Sequence, residues 1–135
     1  MKAITLWQPW ATLIAEGYKT IETRGHDRFK CLVGQNIIIY AGQRYDENAI
    51  NELATVNFNA RKFLIEKEYN EGPLPAGVIL CKAFVHDGRW LTGDDSIQAC
   101  CSVEGKRYGL FLTGIKKFYA PLPMKGKQGI WECRQ

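Results

Sequence analysis

Gly17-Tyr18-Lys19-Thr20-Ile21-Glu22-Thr23-Arg24 is the stretch from which the rest of the chain is read. A lysine, a glutamate and an arginine fall within six residues. They follow a glycine that can end a helix by taking a positive φ. Residues 19–24 alternate and are rich in β-formers, so they read as a strand. On a strand, Thr20, Glu22 and Arg24 share one face, and Ile21 and Thr23 take the other. One face can then be buried, while the other presents two opposite charges and a hydroxyl, joined by Lys19 from the turn. A carboxylate between two cations is a pre-oriented network: the glutamate fixes the arginine fork, and surplus positive charge can meet an anion. The same residues on a plain surface strand would form incidental ion pairs, and the residue types alone leave both readings open.

Upstream, residues 2–7 alternate through Ile4 and Leu6 as a strand does, and Gln8-Pro9 stops it. Trp10, Leu13, Ile14 and Gly17 recur at helical spacing, which predicts a short amphipathic helix over 9–16 with Pro9 in its first turn. Downstream, 25–34 reads as a polar loop and 36–41 as a buried, β-branched strand. Residues 46–69 predict one or two helices, closed by the loop at 70–75. Strands follow over 77–85 and 108–118, the second bent at Gly114. Asp87-Gly88 is a turn signal, and Pro121-Leu122-Pro123 is expected to break the pairing. Residues 97–103 give no clear signal, and 129–133 form a short closing strand. The expected fold is α+β but mainly β: one domain over 1–135, a small, partly open barrel with a short N-terminal helix and a helical insert around 46–69.

The chain has 135 residues, enough for a real core. With 46% hydrophobic and 24% charged residues it falls in the globular range rather than the disordered one. No apolar run approaches a membrane span, so no membrane partner is expected. The start lacks a signal-peptide core and enters a strand at once, which places the protein in the cytoplasm. Five cysteines, with no C-x-x-C pair and only two histidines beside them, make neither a disulfide framework nor a zinc set. They read as small buried thiols kept reduced. No metal and no cofactor are called for. The net charge of +4 is modest, but it is unevenly distributed. Lys106, Arg107, Lys116, Lys117, Lys125, Lys127 and Arg134 crowd the C-terminal third, and Arg24, His26, Arg28 and Lys30 form a second cluster. Such faces attract phosphates or simply keep a protein soluble.

Gly17, Lys19, Glu22 and Arg24 spell G-x-K-x-x-E-x-R, which resembles the signature of ASCH domains, a branch of the PUA-like barrels. The resemblance continues in order along the chain. Residues 4–11 (Ile-Thr-Leu-Trp-Gln-Pro-Trp-Ala) are similar to the family's opening strand and helix. Ile38-Ile39-Tyr40-Ala41-Gly42 is similar to a strand and glycine turn usually written I-H-A-G, with Tyr40 at the common histidine position. Gly77-Val78-Ile79, Tyr108-Gly109-Leu110 and residues 123–131 match later segments; the insert at 46–70 lies outside the match. The resemblance implies a cleft at the barrel mouth, lined by the first helix, the K-x-x-E-x-R strand and the Ala-Gly turn. It also implies an RNA- or nucleotide-related role.

Within that frame the candidate ligand-binding residues are Trp7, Gln8, Trp10, Lys19, Glu22, Arg24, Tyr40, Gly42, Gln43, Arg44, Lys125, Lys127 and Gln128. Trp7 and Trp10 offer flat platforms for base stacking or pack into the core. The amides opening the helix could meet a phosphate. Gly42-Gln43-Arg44 gives a close backbone approach followed by donors, or an ordinary turn. Lys125-Gly126-Lys127-Gln128 is a basic loop that could clamp a phosphate backbone or stand in solvent. The expected partner is RNA, another nucleic acid, or a nucleotide or nucleoside.

Some ASCH relatives are amidohydrolases acting on acetylated cytidine, thought to use a lysine, a threonine in the following strand and a distant glutamate, and ribonuclease activity is described for others. Lys19 matches the lysine, but Glu22 occupies the threonine's place, and no distant glutamate is evident. If the protein is an enzyme, Lys19 and Glu22 are its catalytic candidates. Flanking cations favour an ionised carboxylate, which suits Glu22 better as an organiser of the cleft. A nucleic-acid- or nucleotide-binding module is therefore the leading reading. A hydrolase of a modified nucleoside or of RNA is the alternative, and an interaction domain without a nucleic-acid ligand the second alternative.

Overall fold

The alternation through Ile4 and Leu6 forms β1 (Lys2–Gln8), and the helical spacing after Pro9 forms α1 (Trp10–Ala15) in the computed structural model, which describes residues 1–134. Gly17 adopts φ +85° and ends α1. Its amide bonds the Ile14 carbonyl, and the amides of Tyr18 and Lys19 both bond the Leu13 carbonyl. This tight turn feeds β2 (Ile21–Arg24) and aims Lys19 inward. Residues 25–34, read as loop, contain a 3-10 turn at Arg28–Leu32, whose Phe29 and Leu32 are buried. The isoleucine run lies in β3 (Asn36–Tyr45). The insert forms α2 (Ala49–Val56) and α3 (Phe58–Glu71), and Asn57 caps α3 by accepting from the Ala60 amide at 3.1 Å.

Two punctuation signals did not punctuate. β4 (Val78–Trp90) runs straight through Asp87-Gly88. The extra residue is absorbed by a register shift between Val85 and Asp87, while Gly88 lies against the Tyr108 hydroxyl, where a Cβ would come within 2.7 Å. β5 (Tyr108–Pro123) likewise passes through Pro121-Leu122-Pro123, pairing Leu122 with Ile79 and Pro123 with Val78. The reason is that β2 covers only Tyr108 to Phe111 of β5. Beyond Leu112, whose amide still bonds the Thr20 carbonyl, β5 pairs on one side only, and a proline's missing N–H costs nothing on a free edge. The bend at Gly114 is present as a positive φ of 60°. Residues 97–103 contain one short helix, α4 (Ser96–Ala99), and β6 (Ile130–Glu132) ends the described sheet.

The six strands form one sheet in the order β2-β5-β4-β3-β1-β6, with β1 and β3 parallel. The expected barrel does not close: β2 and β6 are the sheet's two edges. Its ends nevertheless face each other, since Arg24 Nη2 on β2 reaches the Thr5 carbonyl on β1 at 3.5 Å. The main core lies on one side of the sheet, with Ile4, Leu6, Ile14, Ile37, Ile39, Ala83, Val85, Leu110 and Leu112. A smaller cluster of Ala3, Ile38, Tyr40, Ile79 and Trp131 lies on the outer side. The insert buries Leu53, Ala60 and Leu64 against Leu13 of α1 and Cys100. It is thus packing for the first helix and, through α2, a wall of the cleft described next. Cys81, Cys100 and Cys133 are buried thiols as expected, whereas Cys31 is exposed and Cys101 half-buried. Burial pushes the Cys81 thiol up to about 12 and Cys100 up to about 11. Among the described residues, no helix is long and apolar enough to cross a membrane.

Candidate functional site

A cleft of about 530 Å³ occupies the gap between β1 and β2. Its floor is made by the Lys19–Arg24 stretch, through Lys19, Glu22, Thr23 and Arg24. Lys19 is 3% exposed and Glu22 5%, yet both border the cleft. Lys19 Nζ donates to the Ala99 carbonyl and stands 5.4 Å from the centre of the Trp10 ring. An ammonium has three protons, so one carbonyl leaves two for a ligand. Glu22 Oε2 lies 3.1 Å from Arg24 Nε. The Arg24 guanidinium also stacks on Phe29, 4.5 Å from its ring centre. Arg24 is therefore held from three sides: a carboxylate, an aromatic face and the Thr5 carbonyl.

The tryptophans divide their tasks. Trp10 is half-buried, with its Nε1 donating to Asp46 Oδ2 at 3.2 Å and Lys19 over its ring. It anchors the wall. Trp7 is 45% exposed, and the Arg44 guanidinium sits 5.4 Å from its ring centre. Of the two, Trp7 is the free stacking surface. Gln128 also borders the cleft.

Other expected contacts lie elsewhere. Gln8 borders a different depression; its side chain is 2% exposed and engaged at both ends, Nε2 to the Pro75 carbonyl at 2.8 Å and Oε1 to the Thr12 amide at 3.0 Å. It therefore blocks, rather than opens, the helix start to a phosphate. Tyr40 sits in the outer cluster, its hydroxyl donating to the Met124 carbonyl at 2.8 Å and accepting from the Gly126 amide at 3.1 Å. Gly126 packs so closely on this ring that a Cβ would come within 2.4 Å. Tyr40 thus anchors the 124–128 loop instead of lining the cleft. Gly42, Gln43 and Arg44 border the same separate depression as Gln8, and Arg44 reaches the cleft only by way of Trp7. Lys125 and Lys127 are exposed on the loop, with the Lys127 carbonyl accepting from Thr5 Oγ1.

Several cleft residues were not singled out as site residues by their sequence. Asp46 precedes α2 and Glu52 lies on it; Cys101, Ser102, Glu104 and Arg107 come from the segment between α4 and β5. Thr23, expected to point away, borders the cleft because β2 is an edge strand and Arg107 reaches over that edge, Nη2 donating to Thr23 Oγ1 at 2.9 Å. Arg107 belongs to the basic C-terminal run, and its position next to β2 follows from the pairing of Arg24 with Tyr108. Burial, then the neighbouring Asp46, hold the Glu52 carboxyl above the ordinary carboxylate value; Lys19 and Arg107 oppose them. The lining carries three cations (Lys19, Arg24, Arg107) against four carboxylates (Glu22, Asp46, Glu52, Glu104). The expected cationic surplus is absent from the cleft, since Asp46 before α2, Glu52 on it and Glu104 in the 101–107 segment are three acids that the local motif does not contain.

Residues 4–118 match the family model of the ASCH domain. Among solved structures, ASCH from Zymomonas mobilis gives a TM-score of 0.62 at 14% identity, covering 99% of this chain and 87% of that one. A serine-to-alanine mutant of that protein gives 0.59 at 14% identity, covering 99% and 88%. A tyrosine-to-phenylalanine mutant gives 0.59 at 13% identity, covering 99% and 90%. At these identities the likeness is one of fold. The comparison with curated proteins gave no match.

Proposed function

The chain belongs to the ASCH domain family, a PUA-like fold of the RNA-binding type, and we propose that it is an RNA-related nucleic-acid- or nucleotide-binding module whose cleft takes the base or nucleoside end of the ligand. The observation that carries this reading is the pair of buried charges on the cleft floor, Lys19 and Glu22. Removing charges from water costs several kcal/mol each unless good partners replace the lost hydration. Lys19 has one carbonyl, and Glu22 has the Arg24 Nε. A nucleobase edge, with donors and acceptors side by side, supplies what both lack, and Trp7 offers it a stacking face. The charge balance supports a base rather than a phosphate in this position, because four carboxylates oppose three cations.

Hydrolysis is the weaker reading. Thr23 shares the cleft with Lys19, but its oxygen accepts from Arg107, and its other neighbour is the Cys101 thiol at 3.9 Å. Neither is a base that would take its proton. The test is to titrate a single-stranded RNA 10-mer, a duplex DNA and a panel of nucleosides and nucleotides into the wild type and Lys19→Met, and to recover the ligands afterwards. Binding that Lys19→Met weakens about tenfold or more, with every ligand intact, is expected. A chemically altered ligand would move the protein to the hydrolases. No binding, or binding indifferent to Lys19→Met, would remove the cleft from the account.

A further inference from the structure

The cleft has no cationic surplus, while the chain carries +4 overall, so the positive charge lies outside it. Part of it is on the face of the sheet opposite the main core. Register pairs Lys82 of β4 directly with Lys116 of β5. The alternation along both strands puts these lysines on the outer side: Cys81, Ala83 and Val85 face the main core, and Ile38, paired with Lys82, belongs to the outer cluster. Like charges directly opposite each other in a sheet destabilise it. Among the described residues, neither lysine forms an ion pair. Half-buried Phe84 and Phe118 flank them on the same face, one two residues along β4, the other two along β5. Lysines interleaved with partly exposed aromatic rings on a sheet face are the residue types that hold a single-stranded backbone and its bases.

The outer cluster, whose Ile38 and Ala3 are fully buried, lies between this face and the cleft. Phe118 and Met124 both pack on the outer cluster. Met124 leads into the loop of Lys125 and Lys127, and the next residue, Gln128, borders the cleft. The Lys82 row crosses β3 to Ala3 on β1, two strand spacings or about 10 Å. Thr5, a cleft residue, is two positions further along β1.

We propose that the outer sheet face centred on the Lys82–Lys116 pair is a second binding surface for single-stranded nucleic acid, reached from the cleft across the 125–128 loop. The inference rests on the cleft reading above and extends it: the ligand is a strand of several nucleotides, not a mononucleotide. A phosphate between the two ammonium groups turns their mutual repulsion into two attractions.

The experiment measures anisotropy of a labelled single-stranded RNA 10-mer, and separately the binding of a nucleoside, for wild type, Lys82→Gln/Lys116→Gln and, as a charge-matched control on α3, Lys62→Gln/Lys67→Gln. The sheet variant is expected to bind the 10-mer about tenfold more weakly at low salt. It should lose about two from the slope of log affinity against log salt, one per lysine. Nucleoside binding should be unchanged, and the control should behave as wild type. Because the substitution relieves repulsion, the melting temperature should hold or rise. RNA binding that Lys19→Met lowers but the sheet variant does not would overturn this surface and leave the cleft reading standing. Absence of RNA binding by the wild type would overturn both. An equal loss in the control would reduce the effect to net charge. Lysine-dependent binding to phosphatidylserine vesicles without RNA binding would assign the face to membranes instead.

Discussion

Lys19, Glu22 and Arg24 sit six residues or fewer apart, and their mutual placement follows from a helix cap and a strand pleat. That is why they were legible from sequence. Glu52 shows the opposite case. No candidate site residue falls within the 46–69 insert that carries it, and only the packing of α2 against α1 brings it to the cleft. Its raised carboxyl has a consequence for stability. The folded state holds the Glu52 proton more tightly than the unfolded chain, whose ordinary value is 4.5. Stability associated with this group is therefore fully present below that pH and is lost as the pH rises through the folded-state value. Glu52→Gln should stabilise the protein at neutral pH, by less than about 1 kcal/mol because the side chain is largely solvated. The gain should vanish below about pH 4. Thermal melts of both proteins between pH 3 and 8 check it. A variant that is less stable at pH 7 would show that Glu52 has a stabilising partner.

At the scale of elements, the 124–128 loop is held at its centre by one residue, Tyr40, with the Met124 amide on the Gly77 carbonyl and the Thr5 hydroxyl on the Lys127 carbonyl at its ends. The Tyr40 hydroxyl bonds both Met124 and Gly126, so Tyr40→Phe loosens the middle of the loop while leaving the ring in the outer cluster. The expected cost is about 1–2 kcal/mol of stability. RNA affinity should fall as Lys125, Lys127 and Gln128 lose their fixed positions, and hydrogen exchange of the Gly126 amide should rise. Unchanged exchange would mean that the loop is held by other contacts. Tyr40 read as a cleft residue because it occupies a motif position; its face of β3 is set by the pleat, which turns it outward with Ile38. The same limit applies to β4 and β5. Asp87-Gly88 and Pro121-Leu122-Pro123 are sound local signals for a turn and a break. They fail here because a bulge absorbs one and a free edge tolerates the other, and both facts belong to the partner strand.

For the whole molecule, the opening between the ends of the sheet matters most. A closed barrel would pair β2 with β1 or β6 and leave no room there; the open sheet leaves the gap in which Lys19, Glu22 and the tryptophan wall meet. The mainly β character, the single helix after β1 and the helical insert were all readable, because periodicity and β-branched runs are local. The division of charge was not, since it depends on where α2 and the 101–107 segment fold. In our proposal that division gives the cleft to a base and the lysine-bearing surfaces to the backbone.

The central claim, that the cleft takes the base, is tested most directly by the indole N–H signals of the four tryptophans while a single-stranded RNA tetramer is added. Trp7 and Trp10 border the cleft, whereas Trp90 packs on Tyr108 away from it and serves as the internal reference. The account expects the Trp7 and Trp10 signals to shift in saturable fashion, Trp90 to stay, and Lys19→Met to move the midpoint of the shifts to about tenfold higher RNA or more. Saturable binding that moves Trp90, or that leaves Trp7 and Trp10 where they were, would contradict it.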